Sequence, residues 1–208
     1  MCLCKTKMPK GAIFYHVVSA ETLLNAIKET KANISLEYDT EDSYKLPVNR
    51  ECLLEALQNA IVDDEKYIDW NNCLYLALEE NVARGYVESK SFLLTLQTKC
   101  CFDYICCSNE VFKRPNRTDE DKNTIKNIQS SVCIMISANP NDLENGFVNV
   151  LNEHNCPFMD FLNQDNDREL LFPKNSILTH LDLVKLDYIE YDCVKFEPKK
   201  TYNVKFNE

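Results

Sequence analysis

The stretch Cys73–Leu96, CLYLALEENVARGYVESKSFLLTL, constrains the fold more than any other part of the chain. Cys73–Leu78 and Phe92–Leu96 are apolar runs of strand length. Between them Glu79–Glu88 sets Val82, Tyr86 and Val87 at helical offsets, with Ala83 and Arg84 as good helix formers. The pattern predicts strand, helix, strand. Tyr75 lies inside the first strand and Tyr86 inside the helix, eleven positions further on.

Upstream, Ala12–Val18 is apolar, β-branched and aromatic, and predicts another strand whose polar side chain of interest is His16. Ser19 stands at the N-cap position of a short helix with Leu23, Leu24 and Ile27 on one face. Met1–Lys10, closed by Pro9 and Gly11, reads as a flexible lead-in, which leaves residues 12–208 as one domain. Asn33–Leu46 reads as a polar loop with room for one short strand. Asn49 caps a second amphipathic helix in which Cys52-Leu53, Ala56-Leu57 and Ala60-Ile61 recur at spacings of three to four.

Beyond the central stretch, Cys100–Cys107 predicts a strand, Asn109–Lys122 an exposed charged loop, and Asp121–Ser137 and Asn141–Glu153 two helices. The last third changes character. Arg168–Pro173, Ile177–Leu186, Tyr188–Phe196 and Tyr202–Phe206 predict consecutive antiparallel strands closing a sheet, with Glu169 at the head of the first.

A chain of 208 residues builds one well-filled core and hardly two. Its apolar fraction of 45% and charged fraction of 27% are those of a soluble globular protein, and its apolar runs fall short of a membrane span. A net charge of −10 argues against nucleic acid as a partner, because phosphate backbones are met by basic faces. Eleven cysteines, an odd count with no secretory pattern ahead of them, predict reduced thiols in a cytoplasmic setting. Cys2 and Cys4, Cys100-Cys101 and Cys106-Cys107 do not follow the usual zinc-ladder spacing, so they are expected to be buried, inert thiols with no metal.

Three segments in chain order resemble the motifs of the ADP-ribosyltransferase superfamily. The resemblance is to the His-Tyr-Glu branch, which holds poly-ADP-ribose polymerases, diphtheria-toxin-like enzymes and rifampin ADP-ribosyltransferases. Leu74-Tyr75-Leu76-Ala77 with Ala83-Arg84-Gly85-Tyr86 is similar to the segment whose two tyrosines hold the nicotinamide ring of NAD between them. His16 is similar to the histidine that binds the ribose of the nicotinamide half, although Val17-Val18-Ser19 follows where the family usually carries Gly-Thr or a nearby Thr. Asp167-Arg168-Glu169-Leu170-Leu171-Phe172-Pro173 is similar to the segment around the catalytic glutamate, with Asp167 where arginine-specific members usually have Glu.

The resemblance implies an α+β fold, with ADP-ribosyltransferase-like split antiparallel β-sheets and flanking helices. It implies Glu169, Tyr75 and His16 as catalytic residues, and His16, Tyr75, Ala77, Tyr86 and Ser19 as contacts to NAD, without a metal. The residue types suit the chemistry. Breaking the bond between nicotinamide and ribose develops oxocarbenium-like charge on the sugar, which a fixed carboxylate stabilises. Phenol faces attract the flat cationic ring, and an imidazole hydrogen-bonds ribose hydroxyls.

The function expected on this basis is NAD-dependent mono-ADP-ribosyl transfer to a protein acceptor, as by a pathogen effector or toxin working in a host cytosol. Two alternatives share the same residues: an interaction protein that keeps the fold without the reaction, and an NAD glycohydrolase with water as acceptor.

Overall fold

The computed structural model describes residues 4–30, 34–61, 73–108, 134–137, 169–195 and 197–207. In chain order the strands are β1 (Cys4–Met8), β2 (Ile13–Ser19), β3 (Glu37–Thr40), β4 (Ser43–Leu46), β5 (Cys73–Ala77) and β6 (Lys90–Thr98). They continue with β7 (Phe102–Ser108), β8 (Ile134–Ser137), β9 (Glu169–Pro173), β10 (Leu181–Asp192) and β11 (Glu197–Phe206). The helices are α1 (Ala20–Thr30), α2 (Arg50–Ala60), the short α3 (Glu80–Arg84) and the single turn α4 (Ile177–His180).

These strands, eleven among the described residues, form one sheet in the order β1-β7-β8-β9-β5-β2-β6-β10-β11-β4-β3. The architecture is mixed helix and strand, with a sheet-rich core and flanking helices. Pairing is mostly antiparallel, but β4 with β11 and β7 with β8 run parallel, so the expectation of split antiparallel sheets is corrected to one mixed sheet.

Alternation along the strands builds two apolar faces. On one, Phe14 of β2, Leu76 of β5, Leu94 and Leu96 of β6 and Phe172 of β9 meet Leu23 and Ile27 of α1 and Leu53 and Leu57 of α2. Full burial of each such side chain stabilises the fold by about 1.5–3 kcal/mol. On the other face a smaller cluster joins Ala77, Leu93 and Ile189 to Ala83 of α3, with Tyr15, Val17 and Val87 against it.

Both long helices start where side chains satisfy their first amides. Ser19 Oγ accepts from the Thr22 amide at 3.1 Å, and Asn49 Oδ1 accepts from the Cys52 amide at 2.8 Å. Glu21 in the first turn of α1 and Lys28 in its last both suit the helix dipole.

Several sequence expectations are corrected. Cys4–Met8, read as part of a lead-in, is the edge strand β1, because its main chain completes an antiparallel ladder with β7 whatever its side chains prefer. Asn33–Leu46 holds two short strands rather than one, paired antiparallel as β3 and β4. Ile134–Ser137, expected in a helix, is β8 between β7 and β9. Ile177–His180 is a helical turn, and Leu181–Asp192 is one strand rather than the end of one and the start of another.

The reason lies at Asp187, which is 3% exposed and pairs with Lys185 Nζ at 2.7 Å. A partnered carboxylate crosses the core without ending the strand. Nor do the C-terminal strands neighbour one another throughout, since β9 pairs with β5 and β8. The predicted helix over Glu79–Glu88 is shorter, ending at Arg84 ahead of Gly85. Cys100 and Cys101 are exposed between β6 and β7 rather than buried. The segments predicted over Asn109–Lys122 and Asn141–Glu153, and residues 121–133 of the helix predicted over Asp121–Ser137, lie outside the described residues.

Among the described residues no helix is long and apolar enough to cross a membrane.

Candidate functional site

The three strands that carry His16, Tyr75 and Glu169 are immediate neighbours, in the order β9-β5-β2, although the residues span 153 positions of the chain. Glu169 is the first residue of β9, and its main chain pairs with Ala77. Tyr75 pairs with Leu171 two residues along. Among the described residues β5 and β2 share a single pair, Tyr15 with Ala77, whereas β2 and β6 are paired along seven residues. The sheet is therefore loosest where the proposed residues converge.

His16 bridges that loose junction. Its Nδ1 lies 2.7 Å from the Tyr75 carbonyl oxygen. Loss of surrounding water pushes the imidazole pKa down to about 4, so the ring is neutral near pH 7. A carbonyl only accepts, so Nδ1 carries the proton and donates, leaving Nε2 as an acceptor.

Register separates the side chains by face. Tyr15, Ala77 and Glu169 occupy one cross-strand row, which continues to Thr95 of β6 and Lys185 of β10. Tyr75 alternates with Leu74 and Leu76, which enter the main core, and so shares the face of Ala77 and Tyr15. His16 alternates with Tyr15 and Val17, and takes the face of Phe14 and Val18. The main chain thus brings all three proposed catalytic residues together, while alternation assigns His16 and Tyr75 to opposite faces.

The remaining proposed contacts are spread more widely. Ala77 is buried at the junction itself. Ser19 is engaged as the cap of α1, with its hydroxyl also donating to Thr22 Oγ1 at 2.8 Å. Tyr86 lies past the end of α3 and is 61% exposed.

Around this face the charges are largely paired. Arg84 meets Glu80 Oε1 at 2.7 Å from one guanidinium nitrogen and 2.8 Å from Nε, and Lys185 meets Asp187. Burial raises the Glu79 carboxyl pKa. Burial also raises that of the Tyr15 phenol, the Glu80 carboxylate adding to the rise and Lys185 opposing it. Tyr15 is not among the residues that the sequence motifs point to. The signal was available in period-2 alternation along Ile13–Ser19, which sets Tyr15 and His16 on opposite faces.

A cavity of about 540 Å³ lies elsewhere, lined by Arg50 and Leu54 of α2, Lys99 after β6, Leu178 of α4 and Asp182 and Leu183 of β10. Lys99 there is held by Asp182 at 3.4 Å and donates to the Leu178 carbonyl at 2.8 Å. None of the proposed site residues lines it.

No protein-family model matches the chain, and no curated protein or solved structure matches it either.

Proposed function

We propose that the chain is an NAD-dependent mono-ADP-ribosyltransferase built on an ADP-ribosyltransferase-like fold, passing ADP-ribose from NAD to a protein acceptor. The observation that supports this reading is the adjacency of β9, β5 and β2, which gathers Glu169, Tyr75 and His16 at the loosest junction of the sheet. The bond between nicotinamide nitrogen and the anomeric carbon breaks, and its electron pair leaves with the neutral nicotinamide. The acceptor's lone pair forms the new bond to that carbon and its proton is released. Glu169 stabilises the oxocarbenium-like charge and takes that proton. Tyr75 supplies an aromatic face for the nicotinamide. His16 works through Tyr75, holding its carbonyl and hence the course of β5.

Incubation of the chain with labelled NAD and a host-cell lysate tests the reading. Labelled protein and free nicotinamide are expected in equal amounts. Absence of both removes the transferase.

One observation favours a second reading, an interaction protein that keeps this fold without the reaction. The Nδ1 atom of His16 is committed to main chain, and alternation sets His16 on the face opposite Tyr75. Calorimetry separates the two, because an inactive scaffold takes up no NAD.

A further inference from the structure

We infer that Tyr15 is the residue of β2 that binds substrate, donating its hydroxyl proton to a hydroxyl of the ribose next to the bond that breaks. The inference rests on the transferase reading and changes which side chain of β2 serves it.

Three observations carry it. First, Tyr15 occupies the same cross-strand row as Ala77 and Glu169, through the one backbone pair that joins β2 to β5. Two strand spacings separate Tyr15 from Glu169, about 10 Å between α-carbons. A ribose lying along the rim of that row, beside the buried Ala77, spans the two positions. His16, one residue along, belongs to the other face and has its Nδ1 proton already in use.

Second, the half-buried Tyr15 brings its oxygen to the surface without a partner among the described residues. Among the described residues no hydrogen bond to it is present, yet none of their buried side-chain nitrogens or oxygens lacks a partner. The ring packs in the cluster of Ala77, Ala83, Leu93 and Ile189, so its oxygen emerges at the surface from a body fixed by apolar contacts. That is the arrangement of a donor held ready for a ligand.

Third, burial and the neighbouring Glu80 carboxylate keep the phenol protonated well past neutrality. Tyr15 therefore offers a donor across the working pH range, whereas the neutral His16 ring offers only an acceptor at Nε2.

Calorimetric titration of NAD and of free nicotinamide into the full chain and its Tyr15→Phe variant tests this. Loss of one neutral hydrogen bond weakens NAD binding about 3–10-fold. Nicotinamide, which lacks the ribose, binds both proteins equally. A change of Tyr38→Phe on the exposed β3 edge strand alters neither affinity. Equal NAD affinity in Tyr15→Phe and the unaltered chain overturns the inference while the transferase reading stands. Equal loss for NAD and nicotinamide also overturns it, since that is the mark of disturbed packing. No NAD uptake by the unaltered chain overturns the transferase reading and this inference with it.

Discussion

The imidazole of His16 donates from Nδ1 to the main-chain carbonyl of Tyr75 at 2.7 Å, tying β2 to β5 where their backbone ladder is reduced to one residue pair. A side chain here does the joining that main-chain hydrogen bonds do elsewhere in the sheet. The bond has consequences for stability as well as for the site.

Acid should loosen the fold through His16. Its pKa is about 4 in the folded chain against an ordinary 6.5, so between these values the unfolded chain binds a proton that the folded one refuses. The contribution is complete above pH 6.5 and disappears as pH falls towards 4. For a partly enclosed ring the loss is about 1–3 kcal/mol. Urea unfolding of the unaltered chain and of His16→Gln at pH 7 and pH 4.5 measures it. The difference in stability between the two proteins should shift in favour of the glutamine variant at the lower pH.

Removing the cap of α2 should cost about 1 kcal/mol, because Asn49→Ala leaves the Cys52 amide without its 2.8 Å partner. Chemical denaturation measures this as a lower midpoint with an unchanged slope. An unaltered midpoint contradicts the capping role.

Gly11→Ala should destabilise by about 1–2 kcal/mol through backbone strain alone. Gly11 has φ of +87°, and a β-carbon added there meets nothing closer than Gln97 Nε2 at 3.6 Å. The turn is held by Gly11 N donating to Thr98 O at 3.0 Å and by Thr98 Oγ1 donating to Pro9 O at 2.7 Å. A lowered melting temperature with unchanged circular dichroism is the expected result.

Much of the local structure is legible in the sequence. Ser19 and Asn49 announce helix starts because a cap needs only its own next few residues. The strand at Cys73–Ala77 follows from an apolar run that any sheet would take in. What the sequence does not show is long-range. That β9 lies beside β5, and β5 beside β2, depends on which edges meet after the chain has crossed the core. Edge strand β1 is hidden because main-chain pairing asks little of Lys5, Thr6 and Lys7. Strand β10 reads as two pieces because a lone Asp187 looks like an interruption until Lys185 is set against it.

The candidate site follows the same division. The proposal of NAD chemistry comes from the resemblance of three short motifs, whereas the face each residue occupies is set by register. Tyr15 and His16 differ by one position and therefore by a whole side of the sheet.

The most direct test of the account is label transfer from NAD by the unaltered chain and by Glu169→Gln, a change that keeps size and shape while removing the charge. The account predicts a loss of at least about 100-fold in transfer, with circular dichroism and melting temperature retained. Transfer by Glu169→Gln at the rate of the unaltered chain contradicts it.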